Sequence, residues 1–186
     1  LRKWARKVNP KIVVEIGSGQ GICADKVQLP NTHYVGVEPS RYLLNRAQER
    51  YPAQNREFVF GNAYDLPLSD DYADTVFSVN VWFHLENLKE ASKELARILK
   101  SGGNFLVSTA NPNSYPVWES FFFDPKIEGN KIDGKVKVPI NPLSRNVIYK
   151  HSLKEITDAL EASGLVVEEH EGFGYIETHN LLYISL

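Results

Sequence analysis

Methionine is absent from this chain and cysteine occurs once, at Cys23. One thiol cannot close an internal disulfide, so no cross-linked scaffold is available and stability must come from a buried apolar core. Cys23 itself, just inside the first helix after a glycine-rich turn, reads as a packing residue. Long apolar runs are missing as well. None approaches the roughly 20 residues that a bilayer-spanning helix needs, which argues against a membrane span. The first ten residues lack the apolar centre of a signal peptide, so a cytoplasmic location is the expectation. Charge of one sign is scarce too. The formal net charge is -2, and the one cationic cluster, Arg2, Lys3, Arg6, Lys7 and Lys11, is a poor footprint for a nucleic-acid partner. Asp70, Asp71 and Asp74 have no histidine or cysteine at ligand spacing, so they are expected to be solvent-facing turn residues and no metal site is expected.

What is present is core-forming material. The 186 residues are 42% hydrophobic and 11% aromatic, which suits one domain, residues 1–186. Through the first 110 residues, strand-like and helix-like segments alternate, the pattern of a parallel sheet with crossover helices on both faces. Strands are expected at 11–16, 34–38, 57–60, 75–79 and 104–109, each rich in valine, isoleucine or phenylalanine. Helices are expected after Gly21, over 40–51, and over 88–99, the last starting at an Asn87/Glu90 capping box and ending at Gly102. An amphipathic helix is possible over 1–8. Residues 111–150 then hold five of the ten prolines together with Tyr115, Trp118 and three consecutive phenylalanines, too aromatic for a flexible tether. They read as an insertion, with a small hairpin over 131–138 around Asp133-Gly134. Ser152 and Glu155 form a second capping box for a helix that ends at Gly164. Two last strands are expected at 165–169 and 181–186, joined through Gly172-Phe173-Gly174.

The chemistry begins at Val13-Val14-Glu15-Ile16-Gly17-Ser18-Gly19-Gln20-Gly21, a strand that breaks into three glycines with a carboxylate just before them. Such a turn lets a nucleotide-like ligand approach the main chain. The dinucleotide fingerprint needs glycine at its sixth position, where Ile22 stands here, and Glu15 would repel a pyrophosphate while welcoming an amine. A nicotinamide-dependent oxidoreductase is thereby disfavoured.

Together with three further motifs, this run resembles class I S-adenosylmethionine-dependent methyltransferases over nearly the whole chain. Tyr34-Val35-Gly36-Val37-Glu38-Pro39-Ser40 looks like the second strand with its terminal acid. Gly61-Asn62-Ala63-Tyr64-Asp65-Leu66-Pro67-Leu68 with Ala73-Asp74-Thr75-Val76-Phe77 resembles the third-strand loop and fourth strand. Lys100-Ser101-Gly102-Gly103 resembles the family's turn before strand five, with Ser101 replacing proline. The resemblance implies an α/β, Rossmann-like three-layer sandwich whose seven-stranded, mostly parallel sheet has the order 3-2-1-4-5-7-6 with strand 7 antiparallel. It implies S-adenosylmethionine as cofactor and S-adenosylhomocysteine as product.

Carried onto this chain, the motifs make Glu15 the holder of the methionine amine, Gly17, Ser18 and Gly19 the close-approach turn, Glu38 and Pro39 the ribose corner, and Asn62 and Ala63 the adenine contacts. Asn62 stands where the family usually has an acid, so it accepts without charge assistance. Asn80 follows the fourth strand beside the cofactor. His84 in the same loop is the candidate general base, with a loop-ordering role as the alternative. Trp82, His84, Tyr115 and Trp118 are the substrate-side candidates, and their rings suggest a small, apolar or aromatic methyl acceptor. A monomer or homodimer is expected. The alternative function is a non-catalytic partner subunit built on the same fold.

Overall fold

The computed structural model describes residues 1–27, 29–110, 131–132, 135–136, 149, 151–173 and 179–185. Helix α1 (Arg2–Val8) leads into β1 (Ile12–Ile16), and the glycine turn then delivers the short α2 (Ala24–Val27). Next come β2 (His33–Glu38), α3 (Arg41–Arg50), β3 (Arg56–Phe60) and β4 (Ala73–Val79). A 3-10 turn at Trp82–His84 precedes α4 (Leu88–Ile98) and β5 (Leu99–Ala110). Two-residue strands β6 (Lys131–Ile132) and β7 (Lys135–Val136) pair antiparallel. The chain closes with α5 (Leu153–Glu161), β8 (Val166–Phe173) and β9 (His179–Ser185).

Strands β1 to β5 stand in the expected parallel order 3-2-1-4-5. β9 pairs antiparallel with the outer edge of β5, and β8 pairs antiparallel with β9. Period-two alternation divides the apolar residues between two cores. Val14, Ile16, Val35, Val37, Val76, Phe105 and Val107 point toward α4 and α5, where Leu95, Ile98, Ile156 and Leu160 meet them. Val13, Tyr34, Phe58, Phe77 and Leu106 point the other way, against Ala5, Ala24, Val27, Leu44 and Ala47 of α1, α2 and α3. A strand buried on both faces must be apolar throughout, which is why these segments read as nearly continuous hydrophobic runs.

The helix starts follow their caps. Ser40 Oγ accepts the Leu43 amide, Asn87 Oδ1 accepts the Glu90 amide, and at α5 the Ser152/Glu155 box is complete in both directions. Two boundaries and one side chain differ from expectation. α4 ends at Ile98, within a residue of the expected 99, but β5 begins at Leu99 rather than at residue 104, because Leu99 pairs directly with Ala73; Gly102, at φ 73°, lies in an irregular stretch of β5 after that pair. β8 continues through Gly172 and Phe173, which pair with Asn180 and His179, so those two residues are strand rather than connection. Asp74 is not a solvent-facing turn residue. Its Oδ2 accepts the amides of Lys11 and Ile12 at 3.0 and 2.7 Å and its Oδ1 accepts Lys100 Nζ at 2.7 Å, stapling the entry of β1 to the turn before β5. The expected hairpin is present as β6 and β7, while Asp133 and Gly134 lie outside the described residues, as do Tyr115 and Trp118. Among the described residues, no helix is long and apolar enough to cross a membrane.

Candidate cofactor-binding site

Parallel strands place their carboxyl ends together at one edge of the sheet, and the loops that leave those ends enclose a cavity of about 660 Å³. Its walls come from four turns. Ile16 and Gly17 end β1, Val37 to Ser40 end β2, Asn62 to Tyr64 follow β3, and Val79 to Val81 with His84 and Leu85 follow β4. Leu43 of α3 and Tyr149 complete it.

Gly17 is held at φ 75°, the left-handed region that favours glycine. A Cβ there would stand 2.3 Å from Val81 Cγ2, so the turn after β4 packs onto the glycine backbone. The Gly17 and Ser18 amides both donate to Val37 O, fastening the glycine turn to the end of β2. Glu38 secures the same junction: its Oε2 accepts the Gly19 amide at 2.8 Å and its Oε1 accepts the Ser40 amide at 2.9 Å. A carboxylate has four lone-pair sites, so two are left to face the cavity that Glu38 lines. Asn62 Oδ1 accepts the Tyr64 amide at 2.8 Å, an Asx turn that shapes the loop after β3. Among the described residues, the Asn62 side-chain NH2 has no hydrogen-bond acceptor. Asn80 adopts φ 59°, rare for a residue with a side chain, and is fixed there by its amide donating to Ser108 O at 2.8 Å. Non-glycine residues in this region tend to persist where function over-determines them.

The structure thus brings Gly17, Glu38, Pro39, Asn62, Ala63, Asn80 and His84 around one cavity, and leaves four of the described sequence candidates, Glu15, Ser18, Gly19 and Trp82, off it. Gly19 lies behind Glu38 rather than on the surface of the cavity. Ser18 is buried under the turn. Glu15 is 2% exposed and faces the α1–α3 side of the sheet, where the Tyr34 hydroxyl donates to it at 2.5 Å. Burial pushes its carboxyl up to about 8, against the opposing hydrogen bonds from Tyr34 and the Cys23 thiol. Glu15 thus lies in the core with its carboxyl pushed up, and it does not line the cavity where the resemblance would set it against the methionine amine. The reason is alternation: Val14 and Ile16 take one face of β1, which leaves Glu15 with Val13 on the other. Cys23 packs in that same core, its thiol pushed up to about 12 by desolvation and by Glu15.

Trp82 is a second correction. The 3-10 turn rotates it away from the cavity into the α4–α5 core, 1% exposed, with its ring centroid 5.9 Å from that of Phe105. His84, one turn later, lines the cavity beside Phe83. Val81 and Leu85 lie in the loop after the fourth strand and Tyr149 among the aromatics of the 111–150 stretch, both expected near the acceptor, whereas sequence reasoning did not single out Leu43 or Tyr64 as lining residues; the place of Tyr64 directly after Asn62-Ala63 was the available signal.

The donor set discriminates among ligands. The described walls carry the Glu38 carboxylate and no lysine or arginine. The Gly17, Ser18 and Gly19 amides, which a pyrophosphate would need at the glycine turn, are already given to Val37 O and Glu38, whereas the Glu38 carboxylate accepts from ribose hydroxyls, a contact that nicotinamide cofactors share. These residues fit S-adenosylmethionine.

Residues 14–107 match the family model described as a methyltransferase domain, and the chain belongs to that family, the class I S-adenosylmethionine-dependent methyltransferases. Among its relatives is a probable S-adenosylmethionine-dependent methyltransferase of Mycolicibacterium smegmatis, 28% identical over 92% of this chain and 58% of the relative. A fatty-acid O-methyltransferase of the same organism is 32% identical over 65% of this chain and 45% of its own length. The chain therefore spans about half the length of these curated relatives. A solved S-adenosylmethionine-dependent methyltransferase from Mesorhizobium loti shares the fold, with a TM-score of 0.73 and 18% identity over 100% of this chain and 98% of that one.

Proposed function

We propose that this chain transfers a methyl group from S-adenosylmethionine to a small-molecule acceptor of apolar or aromatic character. The single observation that carries the cofactor half is the cavity at the carboxyl ends of β1 to β4, where Glu38 stands at the ribose corner and the glycine-turn amides that a pyrophosphate would need are engaged within the fold. The acceptor half is supported by the apolar Val81 and Leu85 of the loop after β4, and by the relative named a fatty-acid O-methyltransferase.

Bound S-adenosylmethionine supplies an activated methyl on a sulfonium, so the protein contributes binding, orientation and exclusion of water. Glu38 would accept from the ribose hydroxyls through its two remaining lone-pair sites. Asn62 would present its side-chain NH2 to an acceptor nitrogen of the adenine ring, since its oxygen is taken by Tyr64. Pro39 and Leu43 would cover the base, and Asn80 would present its loop to the amino-acid end. His84 would take the acceptor's proton where the acceptor needs deprotonation. In this reading the antiparallel β9 and the strand beside it back β5 as the family's seven-stranded order requires, and residues 111–150 supply the acceptor's outer contacts.

Calorimetric titration with S-adenosylmethionine, S-adenosylhomocysteine and NADH tests the cofactor half: micromolar binding of the first two and none of the third is expected, and NADH binding alone would sink it. Methyl transfer from labelled cofactor to fatty acids and phenols, compared with peptides and RNA, tests the acceptor half. Transfer only to a macromolecule would overturn it.

A further inference from the structure

The loop after β3 and the loop after β4 are joined across the cavity by one side chain. Tyr64 follows the Asn62 Asx turn, lines the cavity, and its Oη accepts the amides of Glu86 and Asn87 at 2.8 and 3.4 Å. These are N-terminal amides of α4 and its approach, which the helix itself cannot satisfy, so the phenol serves them as an external cap. Farther along the same loop, the Leu66 amide donates to Glu94 Oε2 and Arg97 donates to Leu66 O and Leu68 O, anchoring the rest of the segment to the body of α4. Among the described residues, Tyr64 is the side chain of this segment that hydrogen-bonds the approach of α4.

The other side of the β4–α4 loop is held by the residues that leave the insertion. The Tyr149 amide donates to Phe83 O at 2.7 Å, His151 Nε2 lies 2.6 Å from Leu85 O, and the two rings stack. Burial pushes the Tyr149 phenol above its ordinary value, helped by the nearby carboxylate of Glu86, the residue whose amide Tyr64 receives. Residues 81–87 are therefore clasped between a side chain from the adenine end of the cavity and two residues from the acceptor end.

We propose that Tyr64 is a positioning residue that transmits occupation of the adenine end to the acceptor end, because its phenol fixes the 81–87 loop onto which Tyr149 and His151 dock. The proposal rests on the function above in naming the ligand and in setting its adenine at Asn62 and the acceptor at Tyr149. A ligand that meets the Asn62 side chain bears on the turn whose oxygen holds the Tyr64 amide. A phenol has only two rotatable bonds with which to absorb a shift, so a displacement of that turn is passed to the Glu86 and Asn87 amides. The bistable element is the phenol, either seated on those amides or withdrawn, with water taking its place. The cofactor that seats it would order the acceptor wall before the acceptor arrives.

Hydrogen–deuterium exchange with single-residue resolution tests this on the wild type, Tyr64→Phe and Tyr149→Phe, each with and without S-adenosylhomocysteine. Without ligand, Tyr64→Phe should speed exchange of Glu86 and Asn87 about fivefold, the factor one neutral hydrogen bond represents. It should also speed exchange at Tyr149, whose amide has Phe83 as its partner. With ligand, residues 61–65 should gain protection in the wild type and in Tyr64→Phe, but Tyr149 and His151 should gain it only in the wild type. Tyr149→Phe should keep Glu86 and Asn87 protected while losing the ligand response at residue 149, which separates the two halves of the clasp if one variant folds poorly. Equal ligand-induced protection at Tyr149 in the wild type and Tyr64→Phe would overturn the proposal, as would unchanged ligand-free exchange at Glu86 and Asn87. Failure of the ligand to protect residues 61–65 in the wild type would count against the cofactor reading instead, and the ligand-free comparison would still decide the role of Tyr64.

Discussion

Both carboxylate oxygens of Glu38 already accept a backbone amide, so this residue builds the glycine turn as well as facing the cavity. Glu38→Ala removes both functions, and S-adenosylhomocysteine affinity should fall by on the order of 1–3 kcal/mol, the range for hydrogen bonds to a charged group. Calorimetry checks it, and unchanged affinity would remove Glu38 from the ribose role. Gly17→Ala isolates a steric effect. The new methyl meets Val81 Cγ2 and the residue is held at φ 75°, at a conformational cost of about 1 kcal/mol on top of the clash. The double variant Gly17→Ala, Val81→Ala should recover the clash and leave the backbone cost, as read from urea midpoints; no recovery would show that Val81 is not the obstacle. At this scale the sequence was legible where function depends on backbone shape, as at Gly17 and Glu38. It misled at Glu15 and Trp82, because a motif fixes where a residue lies along the chain while strand alternation and the 3-10 turn decide which way its side chain faces.

Elements rather than single contacts decide how the cavity is framed. β1 and β5 are stapled at their entry ends by Asp74, and that carboxyl is held below its usual value: desolvation pushes it up, but the Lys100 ammonium and the amides of Ile12 and Lys11 outweigh it. Asp74→Ala should cost about 2 kcal/mol in stability, with two backbone amides and an ammonium losing their acceptor. Because the folded value lies below the unfolded one, the Asp74 contribution is present above the ordinary carboxylate range and is lost as pH falls through the lowered value. The difference between wild-type and Asp74→Ala urea midpoints should therefore shrink in acid. The main strands and the helices from α3 onward were legible from apolar runs and caps, since a doubly buried parallel strand admits few other residues. The start of β5 was not, because Gly102-Gly103 looks like a turn in sequence while the Leu99–Ala73 pairing draws the chain into the sheet first.

The two faces of the sheet differ in kind. The α4–α5 core is wholly apolar along β1, whereas the α1–α3 core contains Glu15 with Tyr34 and Cys23. Burial is the main reason the Glu15 carboxyl titrates near 8 in the folded protein, with Glu38 adding to it and Tyr34, Cys23 and Lys26 opposing. The unfolded chain releases that proton near the ordinary value of 4.5, so between the two values the folded state binds more protons. Stability from this group is complete below 4.5 and declines as pH rises to about 8. Glu15→Gln should flatten that decline; urea midpoints taken on either side of the window decide it, and an unchanged slope would show that another group carries the pH dependence.

The pairing of β5 with β9 also sets an order of events on the ribosome. The five parallel strands leave the exit tunnel first, and the outer edge of β5 receives its antiparallel partner only once residues 179–185 have followed the whole insertion and α5. Throughout that interval a long apolar strand stands with an unmatched row of amides and carbonyls, the arrangement that invites pairing with a neighbouring nascent chain. Slower synthesis after residue 110, or loss of the last strand, should therefore show itself as aggregation before it shows itself as lost activity.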